Sequence, residues 1–137
     1  MPANIKVIQL VRDPRALIHL YKTEKQLIQS QSERICNLLS KNIKDGANMP
    51  DEFYNRIRYE DLVESPLTTI KNILNFVGLD ILPVKEINQI KLNLGEKASK
   101  WKKELNFEDI KIVQNSCADV LNALNYTVFN STSYFLN

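Results

Sequence analysis

Histidine and tryptophan occur once each in the 137 residues, cysteine twice, glycine three times and proline five times. Each scarcity excludes something. The lone histidine, His19, argues against Ser-His and Cys-His nucleophilic catalysis. Cys36 and Cys117 are far apart, and neither has a second cysteine or a histidine at ligand spacing, which argues against a metal site; no metal is expected. Both lie at apolar helical positions and read as buried thiols, while a disulfide needs an oxidising compartment that this sequence alone does not establish. So little glycine and proline argues against collagen-like or extensively disordered stretches. No run of about 18 apolar residues is present, so no segment of this sequence reads as a membrane-spanning helix. The opening MPANIKV lacks a signal-peptide core. A net charge of +2 is too small to argue for a nucleic-acid partner.

What is present is a soluble globular composition, 44% hydrophobic and 25% charged. The length suits one domain on the usual range of roughly 100–200 residues. Ile5–Val11 reads as a buried strand. It stops at Arg12-Asp13-Pro14-Arg15, where Asp13 fits a helix N-cap and Pro14 the first helical position. Helical spacing follows to Tyr21, weakens, and resumes from Leu27 to Leu39, ahead of a loop at Asp45–Pro50. Phe53–Tyr59 is a second strand candidate. Ser65-Pro66 opens the clearest helix, with Leu67, Ile70, Ile73, Leu74 and Val77 on one face and Gly78 as its stop. A short helix is expected over residues 84–92, and a polar, Lys-rich loop over Asn93–Glu104. Asn106 starts a last amphipathic helix that Asn125 terminates. Strand–helix–strand–helix order predicts an α/β fold with a parallel sheet. With two good strands, it looks like half of such a domain.

Three places can carry chemistry. Ligands of open α/β sheets bind beyond the carboxyl ends of the strands, where Arg12 sits immediately before a helix start. A guanidinium there favours a phosphate or sulfate, unless it simply pairs with Asp13 or Glu60. The second strand ends in Arg58-Tyr59-Glu60-Asp61: Tyr59 is able to stack on a base, or the carboxylates merely lead into the Ser65-Pro66 helix. Around Lys97-Ala98-Ser99-Lys100-Trp101-Lys102-Lys103 the reading is a flap that closes over an anion with Trp101 as its apolar anchor, or a solvated charge run.

The runs VIQLVRDPRAL, IRYEDLVESPLTTIKNILNFVGL and WKKELNFEDIKIVQNSCADVLNALNY resemble carbohydrate sulfotransferases, in particular the Golgi enzymes that sulfate the 6-hydroxyl of galactose, N-acetylglucosamine or N-acetylgalactosamine. The resemblance implies a P-loop-like, three-layer sulfotransferase fold with a helix-rich C-terminal half. It also implies 3′-phosphoadenosine 5′-phosphosulfate (PAPS) as donor and a glycan or glycosaminoglycan as acceptor. Arg12 matches the arginine that grips the donor's 3′-phosphate, Tyr59 a position near the adenine, and Lys100, Trp101 and Lys102 a loop over the nucleotide. Arg15 is expected to support rather than bind. Cys36 and Cys117 match family cysteines, which brings a lumenal disulfide into consideration.

The sequence departs from the family where a serine eight residues beyond the arginine is replaced by Leu20; His19 and Ser30 are the candidates to stand in. The family's 5′-phosphosulfate loop and its catalytic base are expected upstream of Ile5. Residues 1–137 are therefore expected to be a single partial domain, the C-terminal half, inactive alone, and native to the Golgi lumen. The alternative is a non-catalytic nucleotide-binding or interaction module, and a homo-oligomer is left open. Asn125-Tyr126-Thr127 and Asn130-Ser131-Thr132 are sequons, Asn130 the better glycan candidate.

Overall fold

The structure is a computed structural model that describes residues 4–131. Among the described residues two strands and eight helices follow in the order β1 (Val7–Val11), α1 (Pro14–Leu20), a 3-10 turn (Lys25–Leu27), α2 (Ile28–Ala47), β2 (Tyr54–Arg58), α3 (Tyr59–Glu64), α4 (Pro66–Val77), α5 (Val84–Ser99), α6 (Trp101–Glu104), α7 (Phe107–Ser116) and α8 (Ala118–Ala123). The strands pair in parallel, with Val7 opposite Tyr54 and Val11 opposite Arg58. This helix-rich α/β arrangement agrees with the fold class read from the sequence. The chain divides into two compact units, one formed by residues up to Arg12 with Asp45–Ala98, the other by Asp13–Lys44 with residues from Ser99 on.

In the first unit β2 runs straight into α3, with Glu60 and Asp61 in the first turn of that helix, where acidic side chains complement the helix dipole. Pro66 then opens α4. Gly78 closes it at φ +79°, a left-handed residue that only glycine adopts without steric cost. The expectation of a buried first strand fails in part. Val11 is buried, but Val7, Ile8 and Leu10 are exposed. Among the described residues β1 has one hydrogen-bonded neighbour, β2, and a two-stranded sheet cannot cover both of its own faces.

The expected loop over Asn93–Glu104 is helical instead. α5 continues to Ser99, and α6 follows at Trp101. Beneath the lysines an apolar row persists: Ile87 and Ala98 are buried, with Ile90 and Leu94 half-buried between them at helical spacing. Leu, Glu, Lys and Ala are strong helix formers, and Lys100 reaches Glu104 one turn on at 3.3 Å. Similarly, α2 runs three residues into the expected loop, through Asp45 and Gly46 to Ala47.

The core of the second unit gathers Ala16, Trp101 and Ile110, with Leu105, Phe107 and Phe129 packed against them. Asn106 accepts the amide hydrogen of Asp109 and so caps α7. The helix breaks at Cys117, and Asn125 ends the run at φ 57°. Cys36 and Cys117 are joined in a disulfide, which decides between the two readings of those cysteines.

Candidate functional site

In the first unit the parallel register brings Arg12 and Tyr59 to the same carboxyl end of the sheet, each following directly on the paired Val11 and Arg58. The Arg12 guanidinium lies over the Tyr59 ring, 4.4 Å from its centroid. Its one hydrogen bond among the described residues is a long 3.4 Å contact from Nη2 to the Lys97 carbonyl oxygen. Among the described residues the buried Arg12 Nε–H has no acceptor. A guanidinium carries five N–H donors, so most of this one's capacity is free. Stacking on a ring holds it in place without spending those donors.

The neighbouring arginine is engaged differently. Arg58 donates to both carboxylate oxygens of Asp61, at 2.9 and 2.8 Å. That fork, reinforced by the positive charge, holds the Asp61 carboxyl below its ordinary value of 3.8 against the opposing effect of partial burial. The pair fixes the β2–α3 junction on which Tyr59 sits. Lys97 contributes a backbone carbonyl, a partner that no side-chain pattern signals.

In the second unit Asp13 N-caps α1, its carboxylate accepting the Arg15 amide hydrogen at 2.9 Å. The same carboxylate takes the Arg15 side chain through Nε at 2.9 Å and Nη2 at 2.7 Å. The Arg15 amide at the start of this helix is thus already satisfied and is not offered to a ligand. Arg15 is buried, with its side chain turned to partners within the fold.

Trp101 is 2% exposed and forms part of the core, so it anchors α6. The cations on either side of it face different surroundings. Lys100 pairs with Glu104, and Lys102 stands over the rings of Trp101 and Phe129, at 5.8 and 5.7 Å. Glu104 also meets His19, Nε2 to Oε2 at 2.5 Å. The His19 hydrogen bond is the main reason that the Glu104 carboxyl lies below its ordinary 4.5, with Lys100 adding to it. Ser30, the other candidate to replace the missing hydroxyl, donates to the Leu27 carbonyl at 3.2 Å. Asn125 and Asn130 are both exposed; Thr132 of the second sequon lies outside the described residues.

A protein-family model described as "Sulfotransferase family" matches residues 3–83. Carbohydrate sulfotransferase 2 of Mus musculus is 26% identical over an alignment covering 93% of this chain and 36% of its own length. Carbohydrate sulfotransferase 1 of Mus musculus is 26% identical, covering 98% of this chain and 42% of its own. For carbohydrate sulfotransferase 3 of Homo sapiens the figures are 24%, 98% and 36%. The chain spans about two fifths of the length of the curated relatives it matches. No solved structure is significantly similar to it.

Proposed function

The chain belongs to the sulfotransferase family, and from that membership we propose that it binds the nucleotide of PAPS and serves transfer of a sulfuryl group to a carbohydrate hydroxyl, the 6-hydroxyl of a sugar in a glycan or glycosaminoglycan. In such a transfer the acceptor oxygen bonds to sulfur while the bond from sulfur to the 5′-phosphate oxygen breaks. The hydroxyl proton passes to a base, and 3′-phosphoadenosine 5′-phosphate leaves. That base is left unassigned.

The observation that carries the reading is Arg12: a guanidinium at a sheet's carboxyl end, stacked on Tyr59, with a buried Nε–H that has no acceptor among the described residues. An anion with several oxygens supplies what those donors lack. In this role Arg12 grips the 3′-phosphate, and Tyr59, already half-buried beneath it, borders the adenine. Lys100 and Lys102 neutralise charge on the donor, and Trp101 fixes the short helix that carries them. The Cys36–Cys117 disulfide supports an oxidising compartment, in keeping with the Golgi lumen as the site of action.

Calorimetric titration of the purified chain with 3′-phosphoadenosine 5′-phosphate tests the reading. Arg12→Ala is expected to weaken binding by about 2 kcal/mol, the worth of hydrogen bonds to a charged group. A folded parent chain that binds no nucleotide, or an Arg12→Ala variant that binds as tightly as the parent, would overturn it.

A further inference from the structure

Arg15 is among the most buried side chains of the molecule, at 1% exposure, and it does more than neutralise Asp13. Its Nη1 donates to Gln114 Oε1 at 2.8 Å and to the Thr127 carbonyl at 2.7 Å. Its flat face lies 4.6 Å from the centroid of Trp101 and 5.3 Å from that of Phe129. Gln114 completes the device. Its Oε1 also accepts from the Phe129 amide at 3.1 Å, and its Nε2 donates to the Phe129 carbonyl at 2.9 Å. One guanidinium and one amide thus tie α1 and α7 to the segment Thr127–Phe129, and they close Trp101 between charged and aromatic surfaces.

Burial of so many donors and acceptors is costly unless all are matched, and an apolar cluster would hold three segments together without that demand. What a planar fork adds is direction: it fixes ring planes and backbone groups at set angles. The residues so fixed are the two rings, Trp101 and Phe129, over which Lys102 stands. Trp101 also opens the helix whose first residue follows Lys100.

We infer that Arg15 and Gln114 are positioning residues that set where the Lys100 and Lys102 ammonium groups are held for the donor. Asp13 holds Arg15 in turn. Neighbouring positions of the Arg12-Asp13-Pro14-Arg15 step then have separate tasks, Arg12 as ligand and Arg15 as the brace of a second set of cations. The inference rests on the donor-binding reading above.

A double-mutant cycle tests it. Arg15→Lys keeps the charge but cannot form the fork, and it is expected to weaken 3′-phosphoadenosine 5′-phosphate binding by about tenfold, within the range that a small misplacement costs. In a Lys100→Ala, Lys102→Ala background the same substitution should have almost no effect, because it acts through those two side chains. Emission of the sole tryptophan should shift to longer wavelength in Arg15→Lys without ligand, as its ring loses its stacked cover. Equal losses in both backgrounds, or unchanged emission from Trp101, would overturn the inference. Should Arg15→Lys fail to fold, Gln114→Ala decides on the same terms. A parent chain that binds no nucleotide removes the donor reading and this inference together, whereas a parent that binds and a cycle that is additive removes this inference alone.

Discussion

Arg12 and Arg15 are three positions apart and chemically identical, yet their surroundings give them opposite uses. Arg15 directs its N–H groups at a carboxylate, an amide and a carbonyl, which leaves it little to offer a ligand. Arg12 has one long hydrogen bond and a ring beneath it. The sequence shows two arginines around Asp-Pro; which of them is held in reserve depends on what surrounds them in the fold. Gln114 carried a faint signal, a polar residue interrupting the apolar row of Ile110, Val113 and Cys117. A prediction at this scale concerns Asp61. Its folded pKa is depressed by Arg58, so the pair stabilises the protein above the unfolded value of 3.8, and that contribution disappears as pH falls through the lower folded value. Urea midpoints followed from pH 7 into the acid range should fall less steeply below 3.8 in Asp61→Asn than in the parent, because the variant has no contribution from this pair to lose. Identical slopes would show that the fork adds nothing in solution.

Elements were legible where their ends carry distinctive chemistry. Asp13-Pro14, Ser65-Pro66, Asn106, Gly78 and Asn125 each mark a boundary that the structure keeps. The helix over residues 93–104 was not legible, because its lysines obscured an apolar row in which only every third or fourth residue is covered. Two glycines separate backbone from packing effects. At Gly78 an added Cβ would meet nothing within 4 Å, so Gly78→Ala pays only for the left-handed backbone, about 1 kcal/mol. At Gly46 the added Cβ would collide with the Tyr54 ring, whose hydroxyl bonds to Gln9 on the partner strand. Gly46→Ala is therefore expected to lower the thermal midpoint more than Gly78→Ala does. The reverse order, measured by circular dichroism, would mean that the Tyr54 ring moves aside freely.

At the scale of the whole molecule, the Cys36–Cys117 bond ties α2 to the break between α7 and α8 across a sequence separation of 81 residues. Closing a loop of that length removes unfolded-state entropy worth about 4.5 kcal/mol on the chain-entropy model. The double variant Cys36→Ser, Cys117→Ser is thus expected to lose a large part of a marginal total stability, read as a lower urea midpoint. A midpoint equal to that of the parent would show that the bond constrains nothing in the unfolded chain.

By itself the sequence determined the α/β class, the helix boundaries at caps and prolines, and the candidate anion residue at the end of the first strand. These depend on local chemistry: hydrophobic periodicity, φ preferences and capping side chains act over a few residues. Only the tertiary structure decided that the cysteines are joined, that Trp101 is core, that Arg15 is spent and that Arg12 retains free donors. Each of those depends on groups far apart in the chain that meet only when it folds, such as Arg15 with Thr127 or Arg12 with Lys97, and short-range pattern carries no record of such meetings.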